Sequence, residues 1–94
     1  MTWSVNFSGG EAEVGKAFDQ IIDQSTKNSM EPREVDDIRD AKTMVTSIAK
    51  RDGDVSGSAY GHWSFFGAGD GRNRLGAVSV TISPAPGAVP KTGV

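Results

Sequence analysis

The feature that most constrains this chain is the stretch from 57 to 83, where two segments with alternating side chains flank a glycine-rich turn. Successive side chains of a strand point to opposite faces of the sheet. The intervening segment 67–74 contains three glycines, an aspartate and an asparagine, which accept turn conformations, so a β-hairpin with a long loop is predicted. The rows expected to face the core are Ala59, Gly61, Trp63 and Phe65 in the first arm and Val78, Val80 and Ile82 in the second.

The opposite face of this hairpin is predicted to carry aromatic side chains among small hydroxylated ones. Tyr60, His62 and Phe66 alternate with the core row of the first arm. A face of this kind either packs against another part of the protein or is available for binding.

The chain before the hairpin contains one alternating segment and two amphipathic ones. Alternation over residues 2–7 predicts a half-buried strand. The pattern Ser8–Glu11 matches a capping box for a first helix, Pro32 suits the first position of a second helix, and Gly53 is predicted to cap its end in the αL conformation. The inward row of the strand is Trp3, Val5 and Phe7. The apolar stripe of the first helix is Val14, Ala17, Phe18, Ile21 and Ile22, and that of the second is Val35, Ile38, Ala41, Val45, Ile48 and Ala49.

The predicted order of elements is therefore β-α-α-β-β. Because each helix has a single apolar stripe, both helices are expected on one face of a three-stranded sheet, which is a two-layer α+β sandwich. The strand order stays open; a right-handed crossover would favour a parallel first strand if it lies directly beside the strand after the helices. Residues 1–83 are predicted to form one domain. Residues 84–94, with three prolines, are predicted to be an extended tail that either frays or docks on a partner.

Composition argues against several classes of protein, namely nucleic-acid binders, disulfide-linked proteins and membrane-spanning proteins. A net charge of −2 and a pI near 5.2 disfavour a dedicated nucleic-acid binder. The chain has no cysteine, which excludes disulfides and thiolate metal sites. The sequence shows no apolar run of membrane-spanning length and no signal-peptide pattern, so we expect a cytosolic or virion-type soluble protein.

Three features resemble known metal-binding, phosphate-binding or catalytic motifs, and each lacks a residue or spacing that the known motif requires. Residues 52–57 match the first half of a calcium-binding EF-hand loop, but its twelfth position is Trp63 instead of glutamate. The glycines of 67–71 have neither the spacing of a dinucleotide fingerprint nor the lysine of a phosphate loop. His62 is the only histidine, and nothing marks Ser64 and Asp70 as its catalytic partners. We therefore predict no catalytic residue, no metal site and no cofactor.

The hairpin sequence GHWSFFGAGDGRNRLGAVSVTIS resembles small uncharacterised proteins of actinobacterial tailed phages. The likeness consists of a Gly-His pair, a Gly/Asp-rich loop and an alternating Val/Ser/Ile strand, and it covers about the last third of the chain. It implies an accessory or virion protein of a phage, and it carries over no active site.

The resulting hypothesis is a non-catalytic protein-interaction module that binds a phage structural protein or a host factor, with a homo-oligomer as a further option. One alternative is a single-stranded nucleic-acid binder that stacks bases on the aromatic face. Another is a small hydrolase built around His62. The residues predicted to contact the partner are Tyr60, His62, Phe66, Arg72 and Arg74.

Overall fold

The computed structural model describes residues 2–28, 30–65 and 74–87, with the backbone alone at 63–65 and 74–76. The predicted hairpin and the predicted order β-α-α-β-β are confirmed. The elements are β1 (Thr2–Gly9), α1 (Glu11–Lys27), α2 (Pro32–Asp52), β2 (Val55–Phe65) and β3 (Arg74–Pro84).

The sheet has the order β1-β2-β3, and both neighbouring pairs are antiparallel. The first strand pairs from Thr2 opposite His62 to Gly9 opposite Val55. The parallel arrangement favoured for directly adjacent strands is therefore wrong. The packing of the helices explains the antiparallel direction. Gly15 lies near Thr46, and Lys42 donates a hydrogen bond to Asp19, so α1 and α2 run antiparallel. The chain therefore returns to the end of the sheet at which β1 ends.

Both helices cover one face of the sheet, as the two apolar stripes predict. The rings of Phe7 from β1 and Phe18 from α1 stack with centroids 5.8 Å apart, which joins the two layers at their centre. The buried core consists of Trp3, Val5, Phe7, Val14, Phe18, Ile38, Ala41, Val45, Ala49, Val55 and Ala59.

The helix ends differ in part from the prediction. Pro32 occupies the first turn of α2 as predicted. The capping box is wrong, because α1 begins after Gly10 and no side chain caps it. Ser8 belongs to β1 and pairs with Ser56, so the extended strand keeps it from the position a capping residue needs. Gly53 follows α2 and donates its N–H to the carbonyl of Ala49. Its φ of +103° is positive as predicted, but the αL conformation is wrong, because ψ is −170° and the backbone extends directly toward β2.

The helical layer covers the three strands unequally. The inward residues of β1 are almost fully buried, since α1 packs on that strand. The inward row of β3 faces the same side as predicted, but Val78 remains 41% exposed, and Val80 and Ile82 are only partly buried. The reason is that α2 packs over β2 and reaches β3 only at its margin, so β3 forms a sparsely covered edge.

Candidate functional site

The candidate site is the face of the sheet opposite the helices, which we call the outer face. Strand alternation selects its members, because the register places every second residue of the three strands side by side. All of them are exposed except Ser56, which is partly buried. The outer face comprises Thr2, Ser4, Asn6 and Ser8 from β1, Ser56, Ser58, Tyr60 and His62 from β2, and Ala77, Ser79, Thr81 and Ser83 from β3.

The outer face carries no formally charged residue when its histidine is neutral. Of the chain's 10 basic and 12 acidic residues, 16 lie in the two helices. There they form exposed ion pairs, such as Lys42 with Asp19 at 2.7 Å and Lys27 with Asp23 at 3.0 Å. The molecule therefore has two unlike sides, a charged helical side and a neutral side of hydroxyl and amide groups.

Tyr60 lies in the middle of this neutral side. It sits on the central strand, between Ser4 of β1 and Ser79 of β3, and its side chain is 47% exposed. Its neighbours have short side chains, so the phenol ring is the largest group on the surface around it. A ring in this position can contact another surface with most of one face and donate a hydrogen bond from its hydroxyl.

The structure brings together two of the five residues predicted to bind a partner. His62 is exposed on the same face as Tyr60, two positions along β2, between Thr2 and Ala77. Arg74 is the first residue of β3 and pairs with Phe65, and strand alternation assigns its position to the row of Val78 rather than to the outer face. Phe66 and Arg72 lie outside the described residues.

A close contact behind Tyr60 determines how β1 sits against β2. Gly61 has its Cα directly beneath the buried indole of Trp3, and a Cβ at this position would lie 2.1 Å from Trp3 Nε1. Only glycine leaves room for the ring there. Gly61 lies between Tyr60 and His62 in the sequence. The contact between Gly61 and the Trp3 ring therefore also holds in place the segment of β2 that carries both aromatic side chains.

The motif that resembles half of a calcium loop is divided between two elements. Asp52 is the last residue of α2, whereas Ser56 lies within β2. The Arg51 guanidinium donates hydrogen bonds to Asp52 Oδ1 and Oδ2, both at 2.8 Å, and these bonds hold the pKa of that carboxyl below its ordinary value. In the part of the chain that the structure describes, no three His, Cys, Asp or Glu side chains are grouped so that they could hold a metal ion.

Comparison with protein-family models, with curated proteins and with solved structures finds no match to this chain. Within the described residues, neither α1 nor α2 has an apolar stretch long enough to cross a membrane.

Proposed function

We propose that this chain is a non-catalytic protein-interaction module and that its outer face binds a partner protein. The observation that supports the proposal is the composition of the outer face, in which nine of the twelve positions are Ser, Thr or Asn and the largest side chain is the exposed Tyr60. No helix of the described chain lies over these residues.

This composition resembles that of one class of protein-recognising surface, the antibody paratope. Antibody paratopes are rich in Tyr, Ser and Asn, because tyrosine gives a large contact area at low entropic cost and the small polar residues form adaptable hydrogen bonds. Interface centres are also depleted of charged residues. The partner surface that fits is therefore an uncharged polar one with a shallow depression for the Tyr60 ring.

The size of the outer face sets the strength expected of this contact. Eight residues of strand span about 26 Å, and three strands span about 14 Å, so the outer face covers roughly 370 Å². A standard stable interface buries about 800 Å² on each partner. A partner that contacts only this face of one molecule should therefore bind weakly and reversibly.

Nucleic acid is the alternative partner, and the charge distribution argues against it. Affinity for a nucleic-acid strand depends on Lys and Arg side chains that neutralise phosphates, and none of the twelve outer-face residues is Lys or Arg. Tyr60 alone could stack on a base. A titration with single-stranded DNA at low salt, in parallel for the natural chain and Tyr60→Ala, distinguishes the two classes: protein binding predicts no Tyr60-dependent affinity for DNA.

The biological setting of the proposal comes from the resemblance of the hairpin to proteins of actinobacterial phages. In that setting the partner is a phage structural protein of the capsid or tail, or a host factor. Mass spectrometry of purified particles separates the two, since a virion component is found in the particle and a host-directed protein is found only in infected cells.

Site-specific photocrosslinking in the host cell tests the proposal. The crosslinking amino acid p-benzoylphenylalanine replaces Ser58 or Thr81 on the outer face and, as matched controls, the exposed residues Gln20 or Gln24 of α1. We expect one protein adduct that forms from both outer-face positions and from neither helical position. The adduct should disappear in Tyr60→Arg, which adds charge and bulk to the neutral face.

Binding measured with the purified partner then completes the test. The proposal predicts that Tyr60→Arg weakens this complex at least about tenfold and that Gln20→Arg, on the exposed side of α1, leaves it unchanged. Adducts from the helical positions, or an outer-face adduct that persists in Tyr60→Arg, would place the contact elsewhere on the molecule.

A further inference from the structure

Among the described residues no strand pairs with the outer edge of β3, and this edge combines three features that point to pairing with another strand. Its register with β2 runs without a bulge from Val55 opposite Pro84 to Phe65 opposite Arg74. Between 75 and 83 it has neither a charged residue nor a proline, which are the devices that usually protect an edge strand. In addition, Val78 is 41% exposed beside Met44 of α2, which is 46% exposed, and both line one groove along this edge.

The other edge of the sheet lacks the third feature. The strand β1 also has no charged residue, but its inward side chains Trp3, Val5 and Phe7 are 4–6% exposed. Pairing at β1 would therefore add backbone hydrogen bonds with little further apolar burial. Pairing at β3 would add both, because its inward row is only partly covered.

The hydrogen-bond phase of β3 shows which backbone groups face outward. The N–H of Ala85 bonds the carbonyl of Asp54 at 3.1 Å, and these residues continue the β2–β3 register. In an antiparallel ladder, every second residue pair exchanges hydrogen bonds. The odd-numbered residues of β3 therefore bond to β2, and the N–H and C=O groups of Gly76, Val78, Val80 and Ile82 point away from the sheet.

We propose that two copies of this chain associate through β3, with antiparallel pairing centred on Ser79, to form a continuous six-stranded sheet. This register opposes Val78 to Val80 of the second copy and Gly76 to its Ile82. The outward groups of these four residues then form about eight backbone hydrogen bonds between the copies. Residues 75–83 contain no charged side chain, so this pairing brings no like charges of the two segments together.

The charges of α2 also favour a second copy as the partner. The same two-fold axis would bring a net acidic part of α2 in one copy next to a net basic part of α2 in the other. The groove is lined by Asp37, Asp40, Ala41 and Met44 of α2 opposite Val78 and Val80 of β3, so an axis through Ser79 also passes close to Met44. Residues 33–40 of α2, which have two basic and three acidic side chains that are exposed or partly exposed, would face residues 47–52 of the other copy, which have two basic and one acidic. The two Met44 side chains would meet over the joined strands.

This inference does not depend on the proposed function, and it changes the size of the outer face. Six strands span about 29 Å, so the two outer faces would form one neutral surface of roughly 750 Å². That area is close to what one side of a standard interface buries. A dimer would therefore allow the outer face to bind a partner more tightly than a single copy can.

Sedimentation equilibrium over a concentration series tests the dimer. The test variants are Val78→Lys and Met44→Lys, which place like charges near the two-fold axis. The matched control is Thr43→Lys, an exposed neighbour on the same helix that does not line the groove. We expect a dimer for the natural chain and for Thr43→Lys, and an at least about tenfold larger dissociation constant for both test variants, with unchanged circular dichroism.

Several results would overturn the inference. One is a natural chain that stays monomeric up to about 1 mM. Another is a dimer that neither Val78→Lys nor Met44→Lys weakens. A dimer that is lost instead in Ser4→Lys, on the outer face of β1, would show that the copies meet through the outer face. Because partner binding is measured separately with Tyr60→Arg, failure of the dimer is distinguishable from failure of the proposed function.

Discussion

Substitution of Gly61 by alanine tests the contact that holds β1 beneath the aromatic segment of β2. A methyl group at Gly61 would lie 2.1 Å from Nε1, 2.4 Å from Cε2 and 2.8 Å from Cζ2 of Trp3. The indole would have to retreat by more than about 1 Å to restore ordinary contact, and it is 5% exposed in a packed core. Relief therefore requires movement of β1 or of the ring against its buried neighbours.

The expected cost is about 2–3 kcal/mol, since overpacking a well-packed core costs about 1–3 kcal/mol and a displaced Trp3 also loses packing. For a domain of this size, that loss lowers the melting temperature by roughly 8–24 °C. Chemical denaturation monitored by far-ultraviolet circular dichroism measures the free energy of unfolding, and a thermal melt gives the second value.

Gly15→Ala is the matched control, because it adds the same methyl group where the structure has room. Its Cβ would lie 3.7 Å from Lys42 Cε, an ordinary contact, and alanine favours the helix by about 0.5–1 kcal/mol. The two substitutions should therefore have opposite signs. The reasoning is refuted if Gly61→Ala is as stable as the natural chain, or if its cost is the same in a Trp3→Leu background, where the clash has been removed.

Three further predictions concern the helical layer. Phe18→Ala removes a fully buried ring that stacks on Phe7, so we expect a loss of about 3–5 kcal/mol in the free energy of unfolding, measured by urea denaturation. Lys42→Ala removes only an exposed ion pair with Asp19, and less than about 1 kcal/mol should be lost in the same assay. Arg51→Gln should raise the pKa of Asp52 toward its ordinary value, measured by carboxyl NMR titration. Because the folded pKa is lowered, the Arg51–Asp52 contribution to stability is present above the unfolded pKa and disappears as the pH falls, so the natural chain should lose more stability in acid than Arg51→Gln does.

The element order and the two-layer architecture could be predicted because alternation and helical periodicity act over many residues at once. The buried stripe of α2, from Val35 to Ala49, agrees with the 3.6-residue period at every predicted buried position except Ile48, which is partly buried. The placement of Tyr60 and His62 on one face of the sheet also followed from alternation. The direction of β1 relative to β2 did not follow from alternation, because it depends on α1 and α2 lying antiparallel, as the short connection between Lys27 and Pro32 favours.

Single side chains that depend on tertiary contacts were not predictable. Glu34 is fully buried in the first turn of α2, although its position beside Arg33 and Asp36 suggests a solvated face. The small residue at Gly61 gave no sign that an indole from a distant strand rests on it. Partial exposure of the β-branched row of β3 also escaped prediction, because the pattern shows which face a residue joins but not how far a helix extends over it.

The most direct test of the account follows the amide signals of the ¹⁵N-labelled chain by NMR while the purified crosslinking partner is added. Binding through the neutral sheet surface predicts shifts or broadening at Ser4, Ser58, Tyr60 and Ser79, with α1 unaffected. Changes concentrated on the exposed residues of α1 and α2, with the outer-face signals unmoved, would contradict it.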